Sequence, residues 1–240
     1  MEPIMKLLPH SDMQIHKHYI GHEQAPLLVV DNFIAQTELL INHASKLDFL
    51  KNSPFYPGGR APVPLDYRQC MLDTLQDTLV DFFALPSVNL RFSVCHYSMV
   101  TTPAEQLTLL QRIPHFDSLD KNGLAAVHYL FKGDMGGTSF YRHRKTGFET
   151  LDQTRKAAYF RSLHSENDGP DIPKAADGYI NGDTALYERI EAQPGIFNRL
   201  ILYRRNSLHS GSIANDLLLS DNPQQGRLTI SSFIDCHKPV

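Results

Sequence analysis

The apolar positions of this chain change period several times, and each change marks a new element. Leu27 to Val30, stopped by Asp31-Asn32, has the length of a short strand, and Gln36 to Leu50 then carries apolar residues at near-helical spacing. The Pro/Gly-rich stretch from Pro54 to Pro62 reads as a loop, and Met71, Leu72, Leu75, Leu79, Phe82 and Phe83 recur with the period of a core-facing helix that ends before Pro86. Period two follows. Leu90, Phe92, Val94 and His96 fall on one face of a strand, which predicts an apolar packing face, while Arg91, Ser93, Cys95 and Tyr97 share a polar face turned toward something wet. Leu124 to Phe131 predicts a second strand in which His128 and Tyr129 face opposite ways, and Thr138 to Tyr141 predicts a third beyond the turn Gly133-Asp134-Met135-Gly136-Gly137. From Phe148 to about Pro194 the period is helical, broken at Asn167-Asp168-Gly169-Pro170, and predicts a helical insertion over a β core. Phe197 to Tyr203 and Arg227 to Ile234 are the last strands.

Helices first and many short strands later predict an α+β chain, mainly β, with a double-sheet jelly roll as its core. Its 240 residues suffice for one domain with a full core. The expected division is helical support over residues 1–87 and a jelly roll over 88–236, with the insertion at about 149–194.

Composition narrows the partners. A net charge of -3 provides no general field for nucleic acid, and no apolar stretch approaches membrane-spanning length. The N-terminal apolar run, broken by Lys6 and stopped by Pro9, is too short for a secretion signal, so a cytoplasmic location is expected. Cys70, Cys95 and Cys236 are odd in number and scattered, which predicts reduced, partly buried thiols.

The candidate chemistry begins at His115-Phe116-Asp117. In extended chain residues i and i+2 point the same way, so His115 and Asp117 project together while Phe116 turns into packing. Leu208-His209-Ser210-Gly211, 92 residues after Asp117, supplies a second isolated imidazole. Two histidines and one carboxylate suit non-haem Fe(II), because they occupy one face of an octahedral ion and leave the other open. Other basic groups receive plainer readings. His96 and His128 lie among apolar neighbours and read as satisfied core histidines. His16-Lys17-His18 reads as a solvated polar segment. Arg142-His143-Arg144 reads as a solvated edge or a rim for an anionic substrate.

Taken in order, the strand bearing Tyr97, His115-Phe116-Asp117, the strand bearing Tyr129, Gly136-Gly137-Thr138, Leu200-Ile201-Leu202-Tyr203, Leu208-His209-Ser210-Gly211 and Gly226-Arg227-Leu228-Thr229 resemble the Fe(II)/2-oxoglutarate-dependent dioxygenases, and within them the prolyl-hydroxylase-like branch. The likeness covers roughly residues 90–236 outside the insertion. It implies that His115, Asp117 and His209 hold iron, that Arg227 binds the far carboxylate of 2-oxoglutarate with Thr229 beside it, and that Tyr97 and Tyr129 line the cosubstrate pocket. A planar guanidinium suits that carboxylate, since it can donate two parallel charge-assisted bonds. The 18 residues from His209 to Arg227 exceed the family's usual separation, which predicts a bulging loop over Ser212 to Gln225.

The implied reaction consumes O2 and 2-oxoglutarate, releases succinate and CO2, and hydroxylates a C–H of a small-molecule, amino-acid or peptide substrate. The presence of Asp117 favours hydroxylation or desaturation over halogenation, because halogenating members lack the carboxylate. The insertion and the Tyr56 to Arg60 loop are the expected covers of the metal. The alternative from another class is a non-catalytic, cupin-like jelly roll that binds metal or ligand, since fold alone does not decide function. Such a module would be expected to have lost Asp117, His209 or Arg227, and all three are present.

Overall fold

The computed structural model describes residues 5–51, 53–167 and 169–237. Two antiparallel sheets face one another. Strands β1 (Gln14–Ile20), β2 (Ala25–Asp31), β3 (Gly58–Pro62), β4 (Leu90–Val100), β5 (Leu124–Tyr129), β8 (Leu200–Arg204) and β10 (Leu228–Cys236) form a seven-stranded sheet in the order β1-β2-β8-β5-β10-β4-β3. Strands β6 (Gly137–His143), β7 (Tyr187–Pro194) and β9 (His209–Ser212) form the smaller sheet, ordered β7-β6-β9 and extended by a bridge between His115 and His209. From β4 onward the chain crosses repeatedly between the sheets. With the His115 segment counted, four central strands of the large sheet face four of the small one, which is the double-stranded β-helix, or jelly roll.

The central strands of the large sheet are buried on both faces, and alternation along them separates two cores. Leu27, Val29, Ala125, Tyr129, Ile201 and Tyr203 point inward to meet Phe140 of the small sheet. Leu28, Val30, Ala126, Leu200, Leu202, Ile230 and Ile234 point outward against α1 (Thr37–Ala44) and α2 (Leu65–Phe82), which contribute Leu40, Tyr67, Met71, Leu75 and Leu79. Each fully buried Leu, Ile, Val or Met among them contributes about 1.5–3 kcal/mol. His128 belongs to this outer core, as expected. Its Nε2 donates to Asn198 Oδ1 at 3.1 Å and its Nδ1 lies 3.3 Å from the Tyr67 hydroxyl, while burial pushes its pKa down to about 4.

Several expectations need correction. The first 87 residues are not purely helical support, since β1, β2 and β3 add strands to both edges of the large sheet. The predicted helix over Gln36 to Leu50 closes at Ala44. Part of the Pro54 to Pro62 loop is strand β3, held so close to β4 that a Cβ on Gly58 would lie 1.8 Å from the Met99 carbonyl oxygen. His16-Lys17-His18 is solvated, but as part of the exposed edge strand β1. The insertion holds one α-helix, α3 (Gln153–Glu166), and a single 3-10 turn at Ala175–Asp177, and its expected second helix is strand β7. The β7 sequence YERIEAQP buries only Tyr187, so it lacks the alternating apolar pattern of a strand, and pairing with β6 overrides its helical composition.

The face assignment in β4 also fails midway. Val94 pairs with Phe233 and Phe92 with Ile234, so Ser93 is an extra residue in a bulge that exchanges the two faces. Beyond it, Cys95, Tyr97 and Met99 join the outer core, while His96, Ser98 and Val100 face inward. The three cysteines are free thiols, with Cys70 and Cys95 buried.

Arg142-His143-Arg144 is neither a free rim nor a solvated edge. Arg142 binds the buried Glu149 and also Glu188, His143 is fully buried with its Nε2 2.9 Å from Glu166, and Arg144 reaches Asp183. Glu149 also accepts from the amides of His22 and Glu23, which ties the β1–β2 turn to the small sheet. Burial alone would raise the Glu149 pKa, but the two amides and Arg142 outweigh it and hold the carboxyl below its ordinary range.

Candidate metal centre and inner cavity

His115 and His209 are brought together by the backbone, each amide donating to the other's carbonyl at 2.9 Å. Asp117 is fixed next to them by its own amide, which donates to the Arg205 carbonyl at 2.8 Å. As the extended-chain argument requires, Phe116 points the other way, into the cluster of Tyr159, Tyr187 and Leu208 outside the small sheet.

One ligand atom from each of His115, Asp117 and His209 lies within 4.8 Å of the others. His115 Nε2 is 3.6 Å from Asp117 Oδ1, and His209 Nε2 is 3.6 Å from Asp117 Oδ2. These separations are too long for hydrogen bonds, so the groups surround a shared point rather than bonding one another. Asp117 Oδ2 is buried with no partner among the described residues, a costly state that a cation would relieve. His209 Nδ1 lies 2.9 Å from the Ser207 carbonyl, which places the proton on Nδ1 and leaves the Nε2 lone pair for a metal. The His115 side chain is 53% exposed, yet its pKa is pushed down to about 4 by lost hydration and then by the adjacent His209, against an upward pull from Asp117. Both influences favour the neutral imidazole that metals bind. An oxygen and two imidazole nitrogens, open on one side, fit Fe(II) or a similar divalent ion.

Next to the triad, the inner face of the large sheet is polar. Arg60, Ser98, Thr229 and Tyr129 occupy one row across β3, β4, β10 and β5. Arg227 lies two residues before Thr229 on the same face. It is 5% exposed, with Nε donating to the Met135 carbonyl and Nη2 to the Gly137 carbonyl, both at 2.9 Å. The turn supplying those carbonyls depends on Gly136, at φ +77°, where a Cβ would lie 1.9 Å from the Ser212 carbonyl oxygen. The long segment between β9 and β10 leaves and returns without moving Arg227 off the inner face; Leu218 within it is fully out in solvent.

Tyr129 is inward and buried, with its hydroxyl 2.8 Å from Thr138 Oγ1. Thr229 Oγ1 donates to the Ser98 carbonyl at 3.3 Å. Tyr97 corrects the expectation that it lines the pocket. The bulge at Ser93 turns it into the outer core, with its ring 5.8 Å from His43, and burial followed by the nearby Cys95 raises its pKa.

Tyr56 and Arg60 were visible in the sequence only as part of a covering loop, and Ser98 not at all. The hydroxyls of Tyr56 and Ser98 and the Nε of Arg60 are buried without partners among the described residues. Burial raises the Tyr56 pKa, opposed by Arg227, Arg60, Ser98 and Thr229 around it. The unpartnered Tyr56 and Ser98 hydroxyls beside Arg227 fit a carboxylate, which accepts through two oxygens. The signal that could have found Tyr56 and Arg60 was the Gly58-Gly59 pair, since glycine inside an extended segment marks close backbone approach. His96, expected to be a satisfied core histidine, faces inward half-buried, with Nδ1 unpartnered among the described residues. Its pKa is lowered by burial, then by Arg60 and Arg68.

Of the expected covers, the Tyr56 loop and only the later part of the insertion lie over this cavity. Helix α3 packs outside the small sheet through Tyr159, whereas Tyr179, further along the same insertion, joins Val100, Leu107, Ile213 and Tyr56 at the end of the cavity. The Tyr179 hydroxyl donates to the Thr102 carbonyl at 2.7 Å. Among the described residues no helix is long and apolar enough to cross a membrane.

Comparison with known proteins gives one family and several solved structures. HygX of Streptomyces hygroscopicus, with nickel, 2-oxoglutarate and hygromycin B bound, aligns at 14% identity over 88% of this chain and 82% of its own, with a TM-score of 0.48. The Pseudomonas putida prolyl-4-hydroxylase aligns at 12% identity over 94% and 93%, with a TM-score of 0.41. SnoN, a non-haem, α-ketoglutarate-dependent epimerase of nogalamycin biosynthesis, aligns at 12% identity over 84% and 70%, with a TM-score of 0.44. No curated protein matches the sequence. Residues 11–234 match a family described as one of unknown function (DUF6445), and the chain belongs to that family.

Proposed function

We propose that this protein is an Fe(II)- and 2-oxoglutarate-dependent oxygenase that hydroxylates a C–H of a small-molecule, amino-acid or peptide substrate, with release of succinate and CO2. The observation that carries the reading is the grouping, inside one jelly roll, of a His115–Asp117–His209 triad with a buried Asp117 oxygen lacking a partner and a buried Arg227 ringed by unpartnered hydroxyls. A metal-binding or ligand-binding module needs one of these features, and the oxygenase needs both.

Under this reading His115 and His209 bind as neutral imidazoles through Nε2 and Asp117 through a carboxylate oxygen. The Ser207 carbonyl keeps the His209 ring in the required tautomer. Arg227 orients the far carboxylate of 2-oxoglutarate, with donation from the Tyr56 and Ser98 hydroxyls, while Thr229 and Tyr129 shape the wall beside it. Bound iron and 2-oxoglutarate together supply the O2 activation that no side chain here can perform. Tyr203, whose ring lies 4.7 Å from that of His209, and Phe140 form the apolar side of the metal pocket and limit water there.

The test is an anaerobic titration of metal-free protein with Fe(II) and then 2-oxoglutarate, following the visible charge-transfer band of the chelated cosubstrate. A saturable band, absent in Asp117→Ala, supports the oxygenase and warrants a substrate screen by succinate release. Iron binding with no band on adding 2-oxoglutarate would overturn it in favour of a metal-binding module.

A further inference from the structure

Arg60 is the one inward arginine of the β3–β4–β10–β5 row, and nothing in the proposed cosubstrate site uses it. It sits on the edge strand β3, paired with Ser98 of β4, and a backbone bridge to Leu50 holds it on its other side. Its guanidinium lies over the Tyr56 ring, 4.5 Å from the centroid. Among the described residues no carboxylate pairs with it, no hydrogen bond holds its side chain, and its Nε is buried without a partner. The other inward arginine, Arg227, is almost fully enclosed and bonded to two carbonyls, whereas Arg60 keeps part of its surface open. An arginine prepaid in position by stacking, with its fork free and its charge unmatched, is an arrangement that recognises an incoming anion.

Tyr56 lies beside both cations. Its hydroxyl sits among Ser98, Thr229 and Arg227 with Arg60 also near, and its ring face carries the Arg60 guanidinium. Arg227 is enclosed beside the hydroxyls, whereas the partly open Arg60 also lies near the half-exposed His115 of the triad.

We propose that Arg60 binds a carboxylate of the substrate itself, so that the oxygenase acts on an anionic, carboxylate-bearing molecule held between Arg60 and the metal. This rests on the oxygenase reading and narrows its substrate class. The carboxylate is anchored by paired donation from the guanidinium, which its stacking on Tyr56 holds in place.

The same chemistry could serve the far carboxylate of 2-oxoglutarate instead, and the experiment separates the two. Anaerobic Fe(II)·2-oxoglutarate protein is titrated with hippurate and with hippuramide, its uncharged counterpart, while the charge-transfer band is followed in wild type, Arg60→Gln and Arg60→Lys. The expected result is that hippurate shifts the band in wild type at concentrations about tenfold or more below those hippuramide needs. Arg60→Gln removes that preference and Arg60→Lys restores part of it, while half-saturation by 2-oxoglutarate stays within about twofold in both variants. Equal action of acid and amide on wild type, no action of either, or a preference that survives in Arg60→Gln would each overturn the proposal. A loss of 2-oxoglutarate affinity of about tenfold or more in Arg60→Gln would overturn it differently, by making Arg60 a cosubstrate residue. Absence of any band in wild type refutes the oxygenase reading, and this proposal falls with it. Because the Arg60 side chain has no hydrogen bond or ion pair among the described residues and only stacks on Tyr56, the variants are expected to melt close to the wild type, which circular dichroism checks.

Discussion

His115 and His209 are joined by two reciprocal backbone hydrogen bonds, so the near and distant ligands of the triad are neighbours in one sheet although 94 residues separate them in the chain. The metal site is therefore as rigid as a strand pair. Its third member, Asp117, depends on the same bridge, because its amide is bound two residues later to Arg205.

Asp117→Ala removes the only carboxylate of the triad and leaves two imidazoles on a half-open site. Metal affinity is expected to fall by more than about 100-fold, beyond what loss of an outer hydrogen-bond partner costs. Equilibrium dialysis against Fe(II) under anaerobic conditions checks it. Retention of stoichiometric iron would show that the metal sits elsewhere.

Arg227→Ala is expected to keep iron and to weaken 2-oxoglutarate by roughly 10- to 100-fold, the equivalent of about 1.5–3 kcal/mol for a charge-assisted bond. Titration of the charge-transfer band measures this directly. Equal loss of iron and cosubstrate would mean that Arg227 supports the fold through Met135 and Gly137 rather than the ligand.

Tyr56→Phe deletes a buried hydroxyl that has no partner among the described residues. Thermal stability should be unchanged or slightly higher, because no intramolecular bond is lost. The affinity for 2-oxoglutarate should drop by about 2- to 10-fold, as for one neutral hydrogen bond. A fall in melting temperature with cosubstrate affinity intact would assign Tyr56 to packing.

His128 makes the fold sensitive to acid. Its pKa is depressed from 6.5 to about 4 in the folded protein, so its contribution is complete above about pH 6.5 and is lost as pH falls from there to about 4. The loss over that window is on the order of 3 kcal/mol, the protonation preference of the unfolded chain. Urea unfolding between pH 7 and 4 should show a steeper decline in wild type than in His128→Gln; parallel curves would mean that protonation elsewhere governs acid unfolding.

Glu149→Ala leaves Arg142 facing a vacated, buried position and frees the amides of His22 and Glu23. Breaking one side of such a pair costs about 3–5 kcal/mol. Chemical denaturation is expected to show that loss with the same cooperativity, and because the substitution keeps the Glu149 carbonyl that accepts from Leu208 beside His209, the folded variant should still bind Fe(II).

The elements visible in the sequence were those with strong periodicity. The α2 stripe of Met71, Leu75 and Leu79 and the runs in β2, β5, β8 and β10 are buried on a regular schedule, so their type follows from spacing. The polar edge strands β1 and β7 were invisible because an edge strand gains its hydrogen bonds from one neighbour and need not bury a face. The bulge at Ser93 was equally hidden. Nothing in Arg91-Phe92-Ser93-Val94 marks it, and it moved Tyr97 out of the cavity and brought Ser98 in.

The triad shows the same division. The i, i+2 spacing of His115 and Asp117, the isolated His209 and the Arg227-Leu228-Thr229 facing all follow from chemistry and strand alternation, which are local and survive in any fold that keeps those strands. Which distant groups join them is a matter of sheet order. Arg60 and Tyr56 reach the cavity because β3 pairs with β4, and Arg142 is neutralised because folding brings Glu149 and Glu188 of β7 beside it. Periodicity reports the faces of an element, while the neighbour across each face is chosen by packing the whole chain.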